Sequence, residues 1–268
     1  MGMDAAAGRI PGSRGQVTVW EADGCPWRGA GYGSELARRL RACGFSVRTV
    51  PLQERPPTDD ELAAQMHVIS GGNSPATTTT GWVGAARSPL GELLERALSG
   101  SASVVGICFG AQLLAVSLAG PGAVRPTARG MEVGLHRVRC TTSPASHVVS
   151  EFHYHEIRPD AVRSIGAEVT YENDHTEVQG FALGSSVFGY QFHPELDPWR
   201  TSSTVRSNKK VIRSAGSCPR TAMGTIRRNR SQWHPASFEN LVARKLLDGC
   251  DATTQVGTRD ATRQLQTI

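Results

Sequence analysis

The chain has 268 residues, of which 39% are hydrophobic and 20% charged, values that are ordinary for a folded globular protein and argue against disorder. The length suits one large α/β domain, or a domain of roughly 200 residues with an appendage. No apolar run approaches the roughly 18 to 20 residues that cross a bilayer, and residues 1–15 lack the apolar stretch of a secretory signal. We therefore expect a cytoplasmic protein without membrane association, with a flexible leader over residues 1–15.

The formal net charge of +5 is unevenly distributed along the chain. Residues 1–199 carry 16 basic and 20 acidic side chains, whereas residues 200–238 carry nine basic side chains and no acidic one. Because the positive charge belongs to one segment, and residues 200–230 contain no Phe, Trp or Tyr for base stacking, nucleic acid binding is disfavoured. The segment is either a docking surface for an acidic partner or a solvated loop, and we favour the loop.

Six cysteines are scattered through the chain without a C-x-x-C pair, at positions 25, 43, 108, 140, 218 and 250. In a chain of this size with no export signal, such spacing indicates reduced thiols. It also disfavours a structural zinc site, and we predict neither a metal nor a cofactor.

Apolar strands and helical repeats alternate over the first 120 residues. The predicted strands are 16–22, 45–52, 66–70 and 103–107, and the predicted helices are 34–44, a proline-marked start within 56–65, 88–99 and 110–119. Ser34 is expected to cap the first helix and Gly44 to end it. This alternation predicts a parallel sheet with helices on both faces, whose ligands bind at the carboxyl ends of the strands.

From residue 131 the pattern changes to short strands separated by turn residues. After Pro198 the chain shows little periodicity until residues 237–250, which predict one more helix before a frayed tail. We therefore expect an α/β protein with an open, mostly parallel twisted sheet flanked by helices and an added antiparallel strand region. The main domain is predicted over residues 16–200, and a basic linker, helix and tail over residues 201–268.

Cys108 lies in the motif G-x-C-x-G between a predicted strand and a predicted helix, which is the setting of a nucleophile elbow. Gly106 and Gly110 permit the tight turn, and the N-terminus of the helix favours a thiolate. By itself the motif fits a buried structural cysteine equally well. A thiol nucleophile also needs a base and a group that orients the base, and His193 and Glu195 in F-H-P-E supply both at the end of an apolar strand.

These motifs together resemble those of a known family. G-I-C-F-G-A-Q (106–112), F-H-P-E (192–195) and the preceding S-G-G (70–72) are similar to the motifs of the class I, triad-type glutamine amidotransferases, over roughly residues 16–200. Within that family, G-M-E-V-G (130–134) and V-Q-G-F (178–181) are similar to stand-alone members that resemble the glutaminase part of GMP synthase. The resemblance implies a flavodoxin-like glutaminase fold for the main domain, which would be the catalytic domain, and glutamine as the substrate.

The family resemblance also implies a role for each matching residue. Cys108 would attack the side-chain amide of glutamine, His193 would pass a proton to the departing ammonia, and Glu195 would orient His193. The backbone N–H groups of Gly72 and Phe109 would form the oxyanion hole. Hydrolysis of the resulting thioester by water would release glutamate.

Three further residues are candidates for substrate binding. Gln112 matches the position with which the family holds glutamine, and Gly71 belongs to the glycine pair of S-G-G. His155 is expected to point into the cleft and His153 to the opposite face, because the two alternate along a strand. Together with Glu156 these histidines would suggest a metal, but no third ligand is spaced to join them, and we predict no metal.

The leading hypothesis is a glutaminase that supplies ammonia to a separate synthetase, since the roughly 70 residues after the main domain are too few for an ATP-using domain. The alternative is a stand-alone γ-glutamyl hydrolase or amidase with the same three residues, and a third hypothesis is a non-catalytic regulatory subunit. Two features depart from the family pattern. Asn73 and Ser74 stand where the family usually has proline, and the resemblance does not cover residues 200–238.

Overall fold

The computed structural model describes residues 14–24 and 31–255, so most of the predicted leader and the end of the predicted tail lie outside the described residues. The strands are β1 (Gln16–Glu21), β2 (Ser46–Pro51), β3 (Met66–Ile69), β4 (Ser103–Ile107), β5 (Val124–Pro126), β6 (Glu132–Cys140), β7 (Ser146–His153), β8 (His155–Ile157), β9 (Glu168–Glu172), β10 (Gly180–Leu183) and β11 (Val187–Tyr190). The helices are α1 (Tyr32–Ala42), α2 (Asp59–Leu62), α3 (Gly81–Ala85), α4 (Arg87–Leu98), α5 (Phe109–Ala119), α6 (Pro159–Ser164), α7 (Pro198–Ser207), α8 (Lys209–Ser214), α9 (Pro219–Asn229), α10 (Ala236–Phe238) and α11 (Arg244–Gln255).

Nine of these strands form one mixed sheet in the order β2-β1-β3-β4-β11-β10-β9-β6-β7, and β5 pairs with β8 separately. The strands β2, β1, β3, β4 and β11 are parallel to one another, whereas β10, β9, β6 and β7 continue the sheet with antiparallel pairs. This arrangement confirms the predicted fold class, a mostly parallel sheet with an antiparallel extension.

Apolar side chains on the two faces of the sheet pack against helices. One cluster contains Leu93 of α4 and Leu114 of α5, and the other contains Leu40 of α1 and Leu246 of α11. The central strands β3 and β4 are buried along their whole length, as near-continuous apolar runs in parallel sheets usually are. Among the described helices, none combines the length and apolar character needed to cross a bilayer.

The first helix begins earlier than its sequence suggests. Gly31 is the N-cap residue and α1 starts at Tyr32, so the prediction that Ser34 caps the helix is wrong. The Ser34 hydroxyl instead donates to Glu21 Oε1 at 3.2 Å, which ties the helix to the end of β1. Gly44 follows the end of α1 with φ of +89°, the left-handed conformation that favours glycine.

The basic segment is helical and packed. The helices α7, α8 and α9 cover the outer face of the β6–β7 hairpin, where Val205, Ile212, Ala222 and Ile226 are buried. The prediction of a solvated loop is therefore wrong, because these residues are helical and packed. Each of these helices buries only one or two apolar residues among many arginines and serines, so its periodicity is weak, although proline at the first helical position of α7 and α9 is a start signal.

Buried His67 on β3 gives the fold a pH dependence that can be measured. Trp20 Nε1 donates to His67 Nδ1 at 3.1 Å, and His67 Nε2 donates to the Ala64 carbonyl at 2.8 Å, which fixes a neutral ring. Burial lowers the pKa of this imidazole from 6.5 to about 4. Because the pKa of His67 is lower in the folded chain than in the unfolded chain, protons bind the unfolded chain more readily. The neutral ring therefore contributes its full stability above pH 6.5, and this contribution is lost as the pH falls towards 4.

We therefore expect the free energy of unfolding of the natural chain to fall between pH 7 and pH 4.5 by about 2 to 3 kcal/mol more than that of His67→Gln. Glutamine can accept from Trp20 and donate to Ala64 but does not titrate. Urea unfolding at the two pH values, followed by Trp fluorescence, measures both losses. Equal losses in the two proteins would contradict this account.

Candidate active site

Cys108 stands on a sharp turn between β4 and α5. It is the one described non-glycine residue with a positive φ, at φ of 50° and ψ of −104°, a strained conformation of the kind that marks functional sites. A Cβ on Gly106 would lie 2.6 Å from the Gly110 carbonyl group, and a Cβ on Gly110 would lie 2.3 Å from the Ile69 carbonyl oxygen. The glycines of G-x-C-x-G are therefore required by close backbone packing around the turn.

His193 and Glu195 leave the sheet at the same edge as Cys108. They follow β11, which is parallel to and beside β4, and the Cys108 N–H donates to the Tyr190 carbonyl at 2.7 Å. His193 Nδ1 lies 2.7 Å from Glu195 Oε1, and both side chains are fully buried. This bond leaves the other ring nitrogen, Nε2, for Cys108.

The surroundings of His193 favour its protonated form. Burial lowers the pKa of the imidazole, but the Glu195 carboxylate and the neighbouring Cys108 sulfur outweigh burial and raise that pKa well above its ordinary value. A proton held on the imidazole beside the sulfur is the arrangement that stabilises a thiolate. The three residues can thus form a nucleophile, a base and an orienting carboxylate.

The His193 ring lies against two residues from other parts of the fold. Tyr32, the first residue of α1, stacks on it with the ring centroids 4.5 Å apart and the planes inclined by 26°. On Gly71 a Cβ would lie 2.6 Å from His193 Cε1, so only glycine leaves room for the ring there. Substrate binding by Gly71 stays a prediction.

The predicted oxyanion donors lie on neighbouring segments. The Gly110 N–H donates to the Ser70 carbonyl at 3.2 Å, which brings the Gly71–Gly72 turn against the first turn of α5. Phe109 is the first residue of that helix, so its N–H has no acceptor within the helix. The geometry therefore suits an oxyanion hole made by Gly72 and Phe109, which stays a prediction.

Gln112 is buried one turn after Cys108. Its Nε2 donates to the His155 carbonyl at 3.2 Å and to Gln191 Oε1 at 3.3 Å. His155 thus lies near Gln112, but through its backbone, while its half-buried ring meets Tyr154 edge to face. A role for the His155 side chain in substrate binding stays a prediction.

The sequence match now decides the family. The model of class-I glutamine amidotransferases matches residues 28–212, more than half of the chain. The chain belongs to this family. The match extends past the predicted domain boundary at residue 200 and ends within α8, so the family resemblance reaches into the basic helices of this amidotransferase.

Individual relatives are distant. The small chain of carbamoyl phosphate synthase from Methanosarcina mazei is 26% identical over 214 residues, which are 77% of this chain and 54% of that protein. The amidotransferase chain therefore spans about half the length of this curated relative.

Solved structures share the fold at low identity. A glutamine amidotransferase from Thermotoga maritima superposes with a TM-score of 0.63 at 20% identity, covering 87% of this chain and 96% of that one. A glutamine amidotransferase from Methylobacillus flagellatus gives a TM-score of 0.57 at 17% identity, covering 94% of this chain and 98% of that one. At these identities the likeness shows a common fold.

Arg39 of α1 links the candidate site to the C-terminal part of the chain. No sequence pattern indicated this role of Arg39. Its Nε donates to the Glu195 carbonyl at 3.1 Å and contacts the Glu35 carboxylate at 3.1 Å, while Nη2 lies 3.8 Å from Asp197. The guanidinium also stacks over the Trp233 ring at 5.6 Å. The backbone that carries Glu195 is thereby fastened to two other parts of the fold.

A second titratable cluster lies behind the site. His153 ends β7 and His155 begins β8, so the two histidines do not alternate along one strand as predicted. His153 is buried beside Glu132 of β6 and Glu151 of β7, whereas Glu156 pairs with Arg125.

The charges of this cluster are strongly coupled. Burial and the nearby Glu132 carboxylate raise the pKa of the Glu151 carboxyl to about 8, although the neighbouring His153 partly offsets them. Burial lowers the pKa of His153, but the two carboxylates outweigh burial and raise it above its ordinary value. Burial raises the pKa of Glu132, but the His153 ring outweighs burial and lowers that pKa to about 2, so the three buried groups titrate as one coupled set.

Proposed function

We propose that this chain hydrolyses the side-chain amide of glutamine through a thioester on Cys108 and supplies the ammonia to a separate synthetase. The observation that carries the proposal is the placement of Cys108 on a strained turn at the N-terminus of α5, beside a His193 that is fixed by Glu195. Membership of the class-I glutamine amidotransferase family supports glutamine as the substrate.

The reaction divides into two steps. In the first, the Cys108 thiolate attacks the carboxamide carbon of glutamine, and the N–H groups of Gly72 and Phe109 stabilise the oxyanion, a contribution of roughly 3 to 4 kcal/mol for each donor. His193 gives its proton to the departing amine, so that ammonia leaves and a γ-glutamyl thioester remains. In the second step, His193 takes a proton from water as the water attacks the thioester, which releases glutamate and returns the thiolate.

The proposal includes a second enzyme that uses the ammonia. Glutamine hydrolysis alone yields only glutamate and ammonia, so the ammonia is useful only where another reaction consumes it. The relative from Methanosarcina mazei is the small chain of a synthase, which is in keeping with a partner on another polypeptide. We propose that such a partner activates the acceptor of the ammonia.

The proposal is tested by measuring glutamate and ammonia formed from glutamine by the purified chain, together with labelling by 6-diazo-5-oxo-L-norleucine, a glutamine mimic with an electrophilic carbon. We expect glutamate formation and one adduct per chain, on Cys108, whose formation is slowed by excess glutamine. Peptide mass spectrometry locates the adduct.

Two other outcomes would overturn parts of this function. Faster turnover of larger γ-glutamyl amides than of glutamine, with full activity of the isolated chain, would identify a stand-alone γ-glutamyl hydrolase. Absence of both glutamate and a Cys108 adduct would identify a non-catalytic subunit of the same fold.

A further inference from the structure

The buried cluster formed by Glu132, Glu151 and His153 has the composition and spacing of a metal site. Glu132 and His153 are paired across the β6–β7 hairpin, and Glu151 lies two residues before His153 on the same face of β7. One oxygen of each carboxylate and His153 Nε2 lie within 4.8 Å of one another. Nε2 is 3.3 Å from Glu132 Oε2 and 3.2 Å from Glu151 Oε2.

A backbone bond sets which nitrogen of His153 faces the carboxylates. His153 Nδ1 lies 2.9 Å from the His155 carbonyl oxygen, which can only accept a hydrogen bond, so Nδ1 carries a proton. A metal ion would replace the proton on Nε2, whose lone pair would then point towards the ion and both carboxylates. Metal-binding histidines are commonly oriented in this way, by a bond from the second nitrogen to a backbone carbonyl.

The two carboxylates have different surroundings. Glu132 is held by three side-chain donors, since Asn173 Nδ2 lies 2.6 Å from its Oε1, and Thr176 Oγ1 and Gln179 Nε2 lie 3.1 and 2.7 Å from its Oε2. Both oxygens of Glu151 are buried without a hydrogen-bond partner, and so is His153 Nε2. Buried polar atoms of this kind are costly unless something satisfies them.

We propose that Glu132, Glu151 and His153 bind one Zn²⁺ ion. Ligand atoms about 2.0 to 2.2 Å from a tetrahedral zinc ion are about 3.3 to 3.6 Å apart, and the two distances from Nε2 lie near the lower end of that range. Two carboxylates and a neutral imidazole balance the charge of a divalent cation, so the site is neutral as a whole, which its burial favours. The donor set of one nitrogen and two oxygens suits zinc better than the all-oxygen preference of Mg²⁺ or Ca²⁺.

The site lies directly behind the catalytic residues. The Ser150 carbonyl accepts from the His193 N–H at 2.8 Å, and the Phe152 carbonyl lies 3.9 Å from Cys108 Sγ. Both carbonyls belong to the stretch of β7 that carries Glu151 and His153. A metal ion bound there fixes this stretch in place and has a structural role, which does not depend on the proposed glutaminase activity.

Zinc binding is tested on the full chain after treatment with a chelator. The natural chain, Glu151→Gln and the control Glu156→Gln are dialysed against buffered free Zn²⁺, and bound zinc is counted by plasma mass spectrometry. We expect the natural chain and Glu156→Gln to hold about one ion per chain more than Glu151→Gln, whose affinity at this site should fall at least about 10-fold. Zinc bound by cysteines is common to the three proteins and cancels in the comparison.

Thermal unfolding provides a readout that does not require the Glu151 variant to fold. Removal of zinc should lower the Tm of the natural chain and of Glu156→Gln, and the zinc-dependent change should shrink in Glu132→Gln. Equal zinc content in all three dialysed proteins would overturn the proposal. So would a Tm of the natural chain that is unaffected by zinc, or a His153 Nε2 that NMR shows to be protonated in the presence of zinc.

Discussion

Replacing Cys108 by alanine is expected to lower the rate of glutamine hydrolysis at least about 10³-fold. The loss is large because alanine cannot form the thioester, and attack by water on the unactivated amide has to use the oxyanion donors alone. The alanine keeps the Cβ at the strained turn, so the fold and the glutamine pocket should persist. Glutamate release under saturating glutamine measures the loss, and isothermal titration of glutamine checks that binding survives.

The matched control for this substitution is Cys43→Ala. Cys43 is a half-buried cysteine at the C-terminus of α1, on a different element from the catalytic turn. We expect Cys43→Ala to retain the natural rate and to accept the electrophile on Cys108. Comparable activity in Cys108→Ala and the natural chain would contradict the assignment of the nucleophile.

The sharp turn at Cys108 could be predicted from the sequence because its requirements are local. A strand that turns directly into a helix packs closely against the first turn of that helix, so positions 106 and 110 have no room for a Cβ. Both positions lie within a few residues of Cys108, and a short motif can therefore reveal them. His193 and Glu195 lie far along the chain, yet they could be placed because the carboxyl ends of neighbouring parallel strands meet at one edge.

Features that depend on the register of distant strands could not be predicted in the same way. Glu132 meets His153 only because β6 and β7 pair with these two residues opposite each other, at the end of the hairpin far from its turn, and a slip of one residue anywhere along the hairpin would separate them. The stacking of Tyr32 on His193 likewise depends on where α1 begins, and the N-cap predicted at Ser34 lies three residues after the actual N-cap, Gly31. Helix ends are the least certain part of such readings.

Gly110 connects the stability of the fold to the geometry of the site. Gly110→Ala is expected to lower the free energy of unfolding by at least about 3 kcal/mol, because the new Cβ would lie 2.3 Å from the Ile69 carbonyl oxygen and 2.8 Å from its carbon. Neither β3 nor the first turn of α5 can move freely, since the Gly110 N–H donates to Ser70 at the end of that strand. Chemical unfolding followed by circular dichroism measures the loss.

Gly91→Ala, within α4, supplies the matched control. A Cβ there has no atom within 4 Å, so the same change should stabilise the chain by about 0.5 to 1 kcal/mol through the helix propensity of alanine.

Displacement of α5 from β3 in Gly110→Ala also separates Phe109 from Gly72, so we expect glutamine turnover to fall even in the fraction that stays folded. If Gly110→Ala were as stable and active as Gly91→Ala, the close approach of α5 to β3 would not be what positions Cys108 relative to Gly72 and Phe109, the proposed oxyanion donors.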